Sequence, residues 1–128
     1  REVLEFLKSK NIIIALFTGK GRRTTDISLE QFKITQYFQM TVTGDDVEEF
    51  KPSGNGLKKI LEKFSLSAND VLMVGDAVAD FKASRETGVD IASVVRDSYS
   101  KDDVVQLSAD YLFHDVQEFF DWLRSIYA

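Results

Sequence analysis

Apolar residues along the chain fall into two rhythms. Residues 12–17 (IIIALF) and 71–74 (VLMV) are unbroken apolar runs, which suit strands covered on both faces. Residues 40–43 and 91–95 give two more candidate strands, and 111–113 predicts a short edge strand. Between them the spacing turns helical, with Leu57, Ile60, Leu61 and Phe64 recurring at i, i+3, i+4 and i+7. Near the end, Asp115 and Glu118 form a capping-box-like pair. They open a stripe of Val116, Phe119, Phe120, Leu123, Ile126 and Tyr127. Gly88 suits a left-handed cap, so 77–87 reads as one helix, and the sole proline, Pro52, suits a turn or first helical turn. Strands and helices alternating through short connections predict an α/β fold with a mainly parallel sheet, as a single domain over 1–128.

The run at 71–74 leads directly into Gly75 and Asp76, and a second acid, Asp80, follows four residues later. In open α/β sheets ligands bind outside the carboxyl ends of the strands, which is where Asp76 is delivered. Asp80 falls in the first turn of the predicted helix, where the helix dipole favours an anion. Two converging carboxylates repel each other unless a cation lies between them. Mg2+, a hard ion with oxygen ligands, suits that position and can hold a phosphate as well. The plainer use of the same residues is a turn aspartate followed by a helix-start acid.

Composition narrows the chemistry. The 128 residues contain no cysteine and one histidine, His114, so any metal site must be built from oxygen ligands. A formal charge of -5 argues against nucleic acid or an anionic membrane as the main partner and leaves small molecules. Absence of a spanning run or signal pattern reads as a cytoplasmic protein. Arg1 stands inside a helix-like pattern with no initiating methionine, which predicts further chain upstream.

Two other strand ends carry polar groups: Thr18 and Gly19 after the first strand, and Lys51 in the loop after the second. A hydroxyl beside a glycine offers a donor and an unobstructed backbone N–H to phosphate oxygens, while a lysine supplies a positive charge for a transferring phosphoryl group. Each has an everyday alternative, a plain turn for Thr18–Gly19 and a solvated loop for Lys51–Pro52.

Taken together and in this order, these residues resemble the haloacid dehalogenase-like hydrolase superfamily, and within it the phosphoglycolate phosphatase and pyrophosphatase-like branch. The resemblance rests on LFTGKGRR at Thr18, on Lys51 in GDDVEEFKPSGNGL and on Gly75, Asp76 and Asp80 in VGDAVAD, with ADYLFHDVQEFFDWL resembling the closing strand and helix. It implies a three-layer Rossmann-like core and a Mg2+-dependent phosphatase acting on a small phosphorylated substrate. It further implies that Thr18 and Gly19 bind phosphate and that Lys51 steadies the nucleophile and phosphoryl group. Asp76 would ligate the metal, with Asp80 at or just behind the metal shell.

The family's first motif, Asp-x-Asp on a central strand, supplies the nucleophile and general acid/base, and this chain has no such pair after an apolar strand. That strand would lie between those at 12–17 and 71–74. Its loss predicts two half-sheets with exposed inner edges, at about 1 to 3 kcal/mol per buried unpaired backbone group. The expectation is therefore the C-terminal part of a longer phosphatase, lacking the first strand and a cap domain, and inactive alone. Competing expectations are a degenerate or receiver-like binding domain, although receivers place their acids before Thr and Lys, and a dehalogenase, against which the acidic pair counts.

Lys20, Arg22 and Arg23 crowd the start of the helix after Thr18, where the dipole disfavours positive charge. Such crowding calls for an anion. A second acidic group on the substrate is one source, and a solvated basic turn is the simpler alternative. Asp45 and Asp46 read as loop or cap acids, while His114 and Trp122 read as structural.

Overall fold

The computed structural model describes residues 2–46, 54–76, 78–95 and 109–127. Two compact units divide at residues 50 and 51, and each has its own parallel sheet. In the first unit, helix α1 (Glu2–Ser9) precedes strand β1 (Ala15–Phe17), helix α2 (Arg22–Gln31) and strand β2 (Met40–Val42). Strands β1 and β2 pair in parallel, with Leu16 opposite Thr41. Parallel strands need a crossover, and α2 supplies it. Ile14, Leu29, Tyr37 and Val42 are the buried apolar residues of this unit. The run at 12–17 is only half strand, because Ile12 N–H still closes α1 on the Leu7 carbonyl and Ile14 N–H donates to the Gln39 side chain at 2.8 Å.

The second unit runs through α3 (Asn55–Lys63), β3 (Leu72–Gly75), α4 (Val78–Thr87), β4 (Asp90–Val94), β5 (Tyr111–Phe113) and α5 (Val116–Ile126). Its sheet has the order β3-β4-β5, all parallel. Leu57 and Ile60 bury the predicted face of α3, while Leu61 and Phe64 are only half-buried. Ile91, Ala92 and Val95 are wholly buried on and beside the central strand β4. Helix α4 ends as its sequence predicts: Gly88 takes a φ of 79°, and Val89 N–H returns to the Ser84 carbonyl at 3.1 Å. Asp110 ties the sheet together, accepting from Ile91 N–H at 2.9 Å and from Arg85 of α4 at 3.0 Å. Pro52 lies outside the described residues.

Strands β1 and β3 are end strands of their sheets, each paired with one neighbour among the described residues.

The buried face of α5 is rotated from the predicted stripe. Phe119 and Leu123 are buried, but Val116 and Ile126 are 52% and 51% exposed. Trp122 replaces them on the packed side, with its ring 4.7 Å from Tyr111 and 5.4 Å from Phe113 between centroids. Aromatic attraction to β5 fixes the face, because large rings remove the most apolar area from water. The capping pair is also modified: Asp115 accepts from Glu118 N–H at 2.8 Å, but the Glu118 carboxylate reaches back to the backbone N–H of exposed His114 rather than to that of Asp115.

Phe119→Ala should therefore cost about 3 to 5 kcal/mol in urea unfolding and Ile126→Ala under about 0.5 kcal/mol, whereas equal losses would restore the predicted stripe. The backbone N–H of Ile91 and then the Arg85 guanidinium hold Asp110 below the ordinary aspartate value of 3.8. The backbone N–H of Thr43, its hydroxyl and Arg22 do the same for Asp46. A lowered folded value means stability that is full above the ordinary value and lost as pH falls through the folded one. Carboxyl NMR titration should show both groups protonating below 3.8; titration at or above that value would contradict the bonding described.

Candidate functional site

Of the sequence-predicted site residues, Thr18 and Gly19 belong to the first unit and Asp76 and Asp80 to the second. In the first unit, β1 ends at Phe17, and Thr18 N–H continues the ladder to the Val42 carbonyl at 3.0 Å. The chain then turns, and the Thr18 hydroxyl oxygen accepts from Lys20 N–H at 3.2 Å, a local side-chain turn that leaves the hydroxyl proton to be donated elsewhere. Gly19 is exposed, and a side chain built there would meet nothing within 4 Å. An open backbone thus stands beside a hydroxyl.

At the basic start of α2, Arg22 is bonded to the turn after β2. Arg22 N–H, at the first turn of the helix, donates to Asp45 Oδ2 at 2.7 Å. The Arg22 guanidinium donates to the Thr41 carbonyl at 2.9 Å, to the Thr41 hydroxyl and to Asp46. Asp46 is held in turn by Thr43 N–H and Thr43 Oγ1, both at 2.8 Å. The anion called for by the crowded positive charge is thus present, but it belongs to the chain. Arg22, whose side chain is 38% exposed, is engaged within the chain, while Lys20 and Arg23 are exposed. Asp45 and Asp46 are cap and turn acids, as their sequence position suggested, although the helix they serve lies before them in the chain.

In the second unit, β3 delivers Gly75 and the exposed Asp76 at its carboxyl end. Asp80, in the first turn of α4, is 7% exposed. Its carboxylate lies over the Gly75 backbone: a Cβ placed on Gly75 would meet Asp80 Oδ2 at 2.4 Å and Asp80 Cγ at 2.6 Å. Gly75 therefore leaves the space that brings the helix acid onto the strand end, one residue before Asp76. Among the described residues no group of three acids or histidines gathers to hold a metal. The Asp76 and Asp80 carboxylates are hard oxygen donors, the ligand type that Mg2+ takes.

Lys51 lies outside the described residues. The start of the following helix is fixed, however. Gly54 N–H donates to Glu86 Oε2 of α4 at 3.0 Å, and Gly54 packs so closely on Thr87 that a Cβ would approach Thr87 Cγ2 to 2.7 Å. Neither this junction nor the Asp45–Arg22–Asp46 bonding was singled out from sequence. For the latter the signal was legible: a cluster of positive charge at a helix start, and two acids after the next strand.

The sequence pattern of the family described as Haloacid dehalogenase-like hydrolase matches residues 1–94. Pyrophosphatase PpaX of Bacillus mycoides (strain KBAB4) is 34% identical over 93 residues, covering 73% of this chain and 43% of that protein. The chain thus spans less than half the length of this relative. Among solved structures, a HAD-superfamily hydrolase of subfamily IA from Geobacter sulfurreducens PCA is 26% identical, with a TM-score of 0.80 over 95% of this chain and 57% of its own. A protein predicted to be a phosphoglycolate phosphatase, from Haemophilus somnus 129PT, is 25% identical, with a TM-score of 0.81 over 98% of this chain and 54% of its own. The family pattern spans Thr18, Gly19, Lys51, Asp76 and Asp80 in one continuous match, and this chain belongs to the haloacid dehalogenase-like hydrolases.

Proposed function

We propose that this chain is the C-terminal core portion of a Mg2+-dependent phosphatase that hydrolyses a phosphomonoester or pyrophosphate. The observation that carries this reading is the placement of the Asp80 carboxylate over Gly75, beside Asp76, at the end of an apolar strand. Membership of a hydrolase family and the pyrophosphatase and phosphatase relatives support it. The reaction would pass through an aspartyl-phosphate on an Asp upstream of this chain, which is why the chain alone is expected to be inactive. The reading includes a single-domain core over residues 1–128, a small phosphorylated substrate rather than nucleic acid or a membrane, and a cytoplasmic location. No helix among the described residues is long and apolar enough to cross a membrane.

The residues divide the work by chemistry. Thr18 donates its hydroxyl, and Gly19 its backbone N–H, to phosphate oxygens; Lys51 sets a positive charge against the phosphoryl group and the nucleophile. Asp76 ligates Mg2+, while Asp80 serves as a ligand or orients Lys51 and metal-bound water. Bound Mg2+ would supply charge neutralisation for the phosphoryl oxygens.

Activity should be measured on the full-length protein against phosphomonoesters and pyrophosphate. We expect hydrolysis that requires Mg2+ and falls about a hundredfold or more in Asp76→Asn. Equal rates in a chelator, or an unaffected Asp76→Asn, would overturn the assignment. Gly75→Ala drives a methyl into the space of the Asp80 carboxylate, so apparent Mg2+ affinity should drop about 10- to 100-fold, with a comparable drop in Asp80→Asn. Unchanged Mg2+ dependence in both would remove Asp80 from the site.

A further inference from the structure

The loop that follows β1 is tied to the turn that follows β2 at four successive points. Thr18 N–H donates to the Val42 carbonyl at 3.0 Å, and Gly44 N–H donates back to the Lys20 carbonyl at 2.8 Å. Arg22 N–H reaches Asp45 Oδ2 at 2.7 Å, and the Arg22 side chain spans from Thr41 to Asp46. Thr43, with no exposed surface, anchors the far end by donating twice to Asp46 and accepting from Asp45 N–H at 3.3 Å. Space is tight as well: a Cβ on Gly21 would lie 3.2 Å from Asp45 Oδ2. Gly19 sits between the tied points, with nothing around it.

A loop that holds an anion through one hydroxyl and one backbone N–H gains most when both are fixed before the anion arrives, since reorganisation then costs nothing at the moment of reaction. A free helix end and a free guanidinium close to that loop would also draw the anion away from it. Here Asp45 covers the first and Asp46 the second. We propose that Asp45 and Asp46, acting through the start of α2 and Arg22, are positioning residues that lock the Thr18–Gly19 turn in its phosphate-binding form and keep the neighbouring positive charge from competing for the phosphate. The inference rests on the reading of Thr18 and Gly19 as phosphate ligands.

A double-mutant cycle on the full-length protein, with a phosphomonoester at saturating Mg2+, separates the two claims. Asp46→Asn should lower kcat/KM about tenfold when Thr18 is present and less than about twofold in the Thr18→Ala background. Equal losses in both backgrounds would make Asp46 a merely structural residue and overturn the proposal. If Thr18→Ala alone changes nothing, the phosphate reading itself fails and takes the proposal with it, an outcome distinct from the first. Arg22→Lys keeps the charge but loses the planar fork, and it should show the same coupling, which provides a second cycle if Asp46→Asn does not fold. Amide exchange at Gly19 and Lys20 should quicken in the variants relative to Leu29 in the core of the same unit, and unaltered exchange would also overturn the positioning role.

Discussion

The contact between the Asp80 carboxylate and the bare backbone of Gly75 sets the terms for the second unit. A side chain at Gly75 is excluded by distance alone, so the strand must end in glycine for α4 to begin where it does. With α4 in place, its own Ala83 and Ser84 are buried, its Arg85 reaches Asp110, and its Glu86 meets Gly54. One small residue thus links the strand end that presents Asp76 to the helix start at Gly54. Tight packing of this kind transmits any displacement, because neighbouring groups have little room to relax.

The first unit reaches a similar end by electrostatics. Its phosphate-turn candidate, Thr18–Gly19, stands beside a helix start loaded with positive charge, and intramolecular carboxylates answer that charge. In both units an aspartate or glutamate from one element fixes the backbone of another. Asp45, Asp46, Glu86 and Asp110 all accept from backbone N–H groups or guanidinium donors of another element.

Much of this was legible in the residues. The apolar runs located β3, β4 and β5 to within one residue, but only β4 is largely buried as such a run implies, since Val74, Tyr111 and Leu112 are exposed. Gly88 announced its left-handed turn for a local reason. The first strand was overextended, since Ile12 and Ile14 are drawn instead to α1 and to the Gln39 side chain, partners that no periodicity reveals. The face of α5 was misjudged because Trp122 bonds its position to β5 through ring contacts set by tertiary structure. At the site, the residue types and their order were readable, and so was the need for an anion near Arg22. That Asp45 and Asp46 supply it depends on the pairing of β1 with β2, which places two separate loops at one sheet edge.

The account turns on Asp76 and Asp80 as metal ligands, and the most direct measurement is magnetic rather than kinetic. Mn2+ substituted into the full-length protein should broaden the amide resonances of Gly75, Asp76 and Asp80 first, and excess Mg2+ should restore them. Broadening that starts instead at Asp45 and Asp46, or that Mg2+ does not reverse, would contradict it.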